Sequence, residues 1–244
     1  MKTQRTHDHF YLTEDRKKEP KEYFKFVGSF IKKYQDKHSG VTLKLLDVGC
    51  ATGEFLYYLD DDICRDDNIH LCGMDIMDEL INKARTNLPD RIFLVGDISN
   101  YESLPQTKFD ILTMLGVHSI FDNISSILAN AINLTKLNSG GKILIFGIFN
   151  PVDYDVLVKV RASSQSIDDV WESGWNCWSL ETVGNFLKSK GLNFNFHPFN
   201  LNIDIAPNAS DPLRSFTQKM ADGSRQVING TQLVHNFYLL EIDC

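Results

Sequence analysis

A run of apolar residues, Leu43 to Val48, ends in a turn of small residues, Gly49-Cys50-Ala51-Thr52-Gly53. The apolar-periodic segment Phe55, Leu56, Tyr58 and Leu59 follows. That order reads as a buried strand, a tight turn and a helix start, which commits the chain to an α/β fold. Glycines at 49 and 53 allow a sharp turn and a close approach of backbone to ligand. N–H groups at the following helix start favour a polar or anionic ligand group.

Two cofactor classes use such a turn. A dinucleotide site wants glycine at the first, third and sixth positions of the loop. Counted from Gly49, those positions hold Gly49, Ala51 and Glu54, and the last places a carboxylate where a pyrophosphate docks. Asp47-Val48-Gly49-Cys50-Ala51-Thr52-Gly53 instead resembles motif I of the class I S-adenosylmethionine-dependent methyltransferases, an acidic residue, a variable one, then Gly-x-Gly-x-Gly. Ala51 replaces the middle glycine with another small residue.

Later strand ends carry the rest of the resemblance. Ile69 to Met74 reads as a strand ending at Asp75, and an acidic residue about 20 positions beyond such a loop hydrogen-bonds ribose hydroxyls in nucleotide-binding α/β folds. The resemblance assigns that role to Asp75 in Met74-Asp75-Ile76, while Asp78 reads as the cap of the next helix. Ile92 to Val95 is a third buried strand. The resemblance implies that Asp97 accepts from the adenine amino group and that Ile98 packs on the ring. Phe109 to Leu115 is the fourth strand, and its end lies beside the first loop. The cofactor set is therefore Asp47, Gly49, Cys50, Ala51, Gly53, Asp75, Ile76, Asp97, Ile98 and Leu115. Tyr11 joins it because an N-terminal piece often caps the pocket in this family. His118 stands at the fourth strand end, where an imidazole titrating near neutral pH could act as a general base.

The expected architecture is a Rossmann-like, mostly parallel sheet of seven strands with helices on both faces, the seventh strand inserted antiparallel beside the fifth. Residues 1–40 form an N-terminal cap helix region and residues 41–244 the methyltransferase domain. Lys142 to Phe149 is the fifth strand, residues 192–205 alternate apolar and polar, and residues 233–242 read as the last strand. Segments 150–178 and 206–232 break the βα alternation and read as lids. The first holds Asn150, Tyr154, Arg161, Trp175 and Trp178, and the second Arg214 and Arg225. Aromatics suit a concave apolar wall, and arginine reads phosphate or carboxylate. These residues are the substrate-binding candidates. They favour a small polar, anionic acceptor, phosphorylated or sugar-linked, methylated at oxygen.

Composition removes other classes. A net charge of −7 argues against a nucleic-acid partner. No stretch approaches the roughly 20 apolar residues of a membrane span, and no secretory signal is visible. Scattered cysteines without a Cys-x-x-Cys pair suggest neither zinc nor disulfides, so no metal and a cytoplasmic location are expected. Asp122 with Asn123 makes no convincing octahedral site. The oligomeric state stays open. The competing readings are a module that binds S-adenosylmethionine without turnover and a nicotinamide-dependent oxidoreductase.

Overall fold

The computed structural model describes residues 5–13, 15, 17–64 and 69–244. Residues 1–4, Glu14 and Arg16 of the expected N-terminal region lie outside the described residues. Strand β1 (Leu43–Val48) runs parallel to β2 (Ile69–Asp75) on one side and to β4 (Ile111–Leu115) on the other. A strand paired on both edges and covered on both faces has no solvent side, which is why its sequence is an apolar run rather than an alternation. Strand β3 (Ile92–Val95) continues outward from β2, and β5 (Lys142–Asn150) continues from β4.

The chain therefore builds β1, β2 and β3 in one direction, then returns to add β4 and β5 on the other side of β1. Strand order reverses between β1 and β4, and the crevice at such a point is where ligands of open α/β sheets sit. Beyond β5, the strand β12 (Phe237–Asp243) lies antiparallel between β5 and β9 (Asn193–Phe199). The path is β3-β2-β1-β4-β5-β12-β9. An eighth, two-residue strand, β8 (Trp178–Ser179), pairs with the end of β5 and was not expected.

Alternate strand residues divide between two cores. Leu46, Met74, Leu112 and Ile145 face α4 (Ile124–Leu134) and α5 (Leu180–Ser189). Leu45, Leu71, Ile111 and Leu144 face α1 (Glu22–Lys37), α2 (Glu54–Tyr58) and α3 (Asp78–Asn87). Ser179 caps α5 through its hydroxyl, which accepts from Thr182 N at 2.9 Å. No helix among the described residues is long and apolar enough to cross a membrane.

Several local expectations need correction. The alternation over residues 192–205 becomes strand only to Phe199, because β12 has no residue left to pair beyond it. Segment 206–232 holds a hairpin, β10 (Phe216–Lys219) and β11 (Arg225–Ile228), turned at Asp222-Gly223. Segment 150–178 holds a second pair, β6 (Lys159–Val160) with β7 (Glu172–Ser173). Asp78 does not cap α3. The residue before that helix is Met77, whose N–H donates to Asp75 Oδ1 at 3.0 Å.

Candidate active site

Gly49 sits at φ +71°, and a Cβ built on it would lie 2.2 Å from Val117 Cγ2. The turn can therefore reach the β4 side only as glycine. Gly53, at φ +81°, precedes α2 and closes the turn by donating to Cys50 O at 2.8 Å. Above this turn lies a cavity of about 990 Å³, bounded by the ends of β1 to β4, by residues 5–11, by the start of α1 and by residues 171–175. Of the cofactor candidates, Tyr11, Asp47, Gly49, Cys50, Ala51, Asp75, Ile76, Asp97, Ile98 and Leu115 all line it. Gly53 does not; it shapes the turn from behind.

Two buried carboxylates set the electrostatics. Asp47 accepts from Thr113 Oγ1 at 2.7 Å, yet burial, with the nearby charge of Asp75, raises its pKa to about 7. Asp75 accepts from Ala51 N at 2.9 Å and from Met77 N, and burial still moves it above the usual carboxylate range. Asp75 thus ties the glycine turn to the start of α3 while facing the cavity. Asp97 accepts from Ser99 N and Ser99 Oγ, at 2.8 and 2.7 Å. A wall whose carboxylates accept from neutral donors favours a cationic ligand.

The opposite wall comes from segments distant in sequence. Arg5 donates from Nε to Ser173 O at 2.8 Å, pairs with Asp8 at 3.3 Å and lies 4.6 Å over the Trp175 ring. Glu172 accepts from Thr6 N at 2.8 Å. His7 packs edge-on against Trp175, with centroids 4.6 Å apart, and its Nδ1 stands 3.0 Å from Asp211 Oδ1. The first described residues, the 171–175 stretch and the segment before β10 are thereby joined over the crevice. Tyr11, beneath them, has its phenol pushed up to about 12 by burial.

The remaining candidates fall elsewhere. His118 does not line the cavity. It is fully buried, stacks on Phe149 with centroids 4.5 Å apart, and its Nε2 lies 3.1 Å from Ile148 O. Burial lowers its pKa to about 4, so it is a neutral packing residue under the floor. Trp178 is turned into the core beside Val183 and Leu187. Tyr154 is 74% exposed. Asn150 ties its own loop by donating to Tyr154 O at 2.7 Å. Arg161 lies 4.7 Å over the Trp171 ring, facing a second, shallower depression. Arg214 pairs with Asp211 at 2.8 Å, and Arg225 with Asp204 at 2.7 and 3.0 Å. None of the three arginines lines the main cavity; Arg161 and Arg214 are held within their own lids and Arg225 by Asp204 just before its lid. Of the substrate candidates, only Trp175 does.

Arg5, Asp8, Lys21, Trp171 and Glu172 line the cavity without having been singled out. No spacing in the sequence marks any of them as facing a ligand.

Residues 46–143, from β1 to the start of β5, match the model of a protein family described as a methyltransferase domain. This stretch is therefore similar to a methyltransferase domain. Solved structures share the methyltransferase fold over nearly the whole chain. An S-adenosylmethionine-dependent methyltransferase from Clostridium acetobutylicum superposes with a TM-score of 0.57 at 14% identity, covering 96% of each chain. CalS10, an amino pentose methyltransferase from Micromonospora echinaspora solved with S-adenosylmethionine bound, gives 0.56 at 13%, covering 99% of this chain and 97% of its own. DesVI from Streptomyces venezuelae gives 0.53 at 12%, covering 97% and 95%. No curated protein matches the sequence significantly. Within the matched stretch the turn, Asp47, Asp75 and Asp97 occupy consecutive strand ends around one cavity.

Proposed function

We propose that the cavity binds S-adenosylmethionine along the ends of β1, β2 and β3 and a small polar acceptor beneath residues 5–11 and 171–175, and that the protein transfers a methyl group between them. The gathering of the glycine turn, Asp75 and Asp97 around one cavity carries this reading. The donor set fits the cofactor: acceptor oxygens for ribose hydroxyls at Asp75, an acceptor for an exocyclic amine at Asp97, and a carboxylate at Asp47 for positive charge. Glu54 lines the cavity directly after the turn, which disfavours a pyrophosphate and hence a nicotinamide cofactor.

S-adenosylmethionine supplies an electrophilic methyl group whose transfer needs an in-line nucleophile and a dry site. Trp175, Ile120 and Phe121 supply apolar lining for the acceptor side. The anionic, oxygen-methylated acceptor rested on Arg161, Arg214, Arg225 and His118, and none of these faces the cavity. Asp8, Asp122 and Glu172 do line it; Asp122 is paired with Lys159 and Asp8 with Arg5, while Glu172 accepts only from Thr6 among the described residues. That balance favours an acceptor bearing a basic nitrogen, such as an amino sugar or another small amine. Burial raises the pKa of Asp8, so its carboxylate is suited to take the proton an ammonium must lose before its lone pair can attack. CalS10 acts on an amino pentose, in keeping with this choice.

The test is a thermal-shift panel with S-adenosylmethionine, S-adenosylhomocysteine, NAD and NADP, followed by methylation assays on amino and phosphorylated sugars. Stabilisation by the two sulfur compounds and turnover of an amine are expected. Stabilisation by nicotinamide cofactors alone overturns the reading, and cofactor binding with no turnover of any acceptor leaves a binding module.

A further inference from the structure

The second depression, of about 510 Å³, lies between the two lids. Leu157, Val158 and Val160 come from the first lid, Leu213 from the second and Leu233 from just beyond it. Trp171 lines both this depression and the main cavity. The pairing of β6 with β7 explains the arrangement. Lys159 and Val160 line the depression, and their partners Ser173 and Glu172 line the cavity. A ribbon two strands wide therefore divides the two spaces, and Trp171, the residue before β7, stands at its end.

The polar side chains of the depression are held within the protein. Lys159 donates to Asp122 and to Ser173 Oγ, the latter at 2.8 Å. Arg161 donates to Ile167 O and lies over the Trp171 ring, and Thr231 donates to Asn229 Oδ1 at 2.6 Å. An anionic ligand would have to compete with these contacts. What stays open is apolar: Leu157 is 53% exposed, Trp171 54% and Leu233 37%. Exposed apolar side chains gathered in a concavity mark a binding surface. The two sides of the ribbon thus ask for opposite chemistry. The cavity side carries Asp122 and Glu172, and the outer side carries aliphatic residues and the rim of an indole. One molecule meets both demands when it is basic at one end and apolar at the other.

We propose that the acceptor spans both spaces: its amine-bearing unit enters the cavity beside Trp175, and an apolar body passes Trp171 to settle on Leu157, Leu213 and Leu233. The small polar unit is then the end of a longer, amphiphilic amine, such as an amino sugar joined to an aliphatic or aromatic group, rather than a free amino sugar. Burial of the apolar body supplies binding energy remote from the reacting nitrogen. This rests on the reading of the main cavity as a site of amine methylation.

Calorimetric titration of the protein loaded with S-adenosylhomocysteine separates the two claims. The methyl, butyl and hexyl glycosides of glucosamine are titrated into wild type, Leu157→Asp and Leu233→Asp, both substitutions being at exposed positions outside the main cavity. In wild type, affinity should rise about threefold for each added methylene. In the two variants that rise should vanish, with affinity for the methyl glycoside kept within about twofold of wild type. A flat series in wild type overturns the proposal, as does a rise that survives in both variants. Concentration-dependent association of wild type that Leu157→Asp abolishes would give the depression to a second copy of the chain and overturn it too. Failure of all three glycosides to bind the loaded protein overturns the amine reading, and failure of S-adenosylhomocysteine to bind overturns the cofactor reading; this inference falls with either.

Discussion

The two walls of the cavity are built in opposite ways. The cofactor wall comes from consecutive strand ends, and its backbone is fixed by parallel ladders between β1, β2 and β3. The lid wall comes from residues 5–11, 171–175 and 211, joined by side chains: Arg5 to Ser173, Thr6 to Glu172, His7 against Trp175 and Asp211. A ladder distributes its strength over many bonds, whereas a side-chain knot depends on a few. The first wall suits a ligand that every related domain shares, and the second suits an acceptor that differs from one protein to the next.

Removing a carboxylate from the ladder-built wall should cost most. Asp75→Ala loses the ribose acceptor and strands the amides of Ala51 and Met77, so affinity for S-adenosylhomocysteine should fall about a hundredfold. Titration calorimetry measures this, and a loss below threefold would break the contrast. Gly49→Ala should destabilise the fold by about 3 kcal/mol through the positive φ and the Val117 contact. Gly116→Ala, at φ +79° but with nothing within 4 Å of its Cβ, should cost only about 1 kcal/mol. Urea midpoints decide between them.

On the lid side, Trp175→Ala should raise the acceptor KM about tenfold while leaving S-adenosylhomocysteine affinity within about twofold. Equal effects on both ligands would mean that the walls are not separable. The pH dependence belongs to the cofactor wall. The folded-state pKa of Asp47, about 7, lies above its unfolded value. Its contribution to stability without ligand is therefore present at acid pH and lost as pH rises to about 7. A cationic ligand favours the ionised form, so S-adenosylmethionine should bind about tenfold more tightly near pH 7.5 than near pH 6, with proton release. Asp47→Asn should flatten that profile. The smallest effect is expected from Arg225→Ala, whose partner Asp204 is remote from the cavity; a change in acceptor KM beyond about twofold would restore the lid arginine to the site.

The difference between the walls also governs what the sequence reveals. Glycine spacing and acidic strand ends are local patterns, so Asp47, Asp75 and Asp97 could be placed by counting. The interleaving of β12 between β5 and β9 followed only from the family resemblance. Arg5, Asp8, Glu172 and Asp122 carry no local mark, because their meeting depends on loop paths that no periodicity encodes. His118 misled for a related reason. Its position at a strand end was read correctly, but its direction is set by packing: the ring turns under the floor to stack on Phe149. The arginines of 150–178 and 206–232 misled because nearby carboxylates and ring faces hold them first.

The place of β12 has a consequence for how the protein is made. It fills an interior position of the sheet, yet it is synthesised after every other strand of that sheet. Until it emerges from the ribosome, β5 and β9 each present an unpaired backbone edge, β5 from Lys142 to Ile148. Such an edge invites pairing with other chains. The nascent protein therefore carries an open β5 edge from Asn150 until Phe237 is made, and stalling before Phe237 should leave it dependent on chaperones rather than merely shortened.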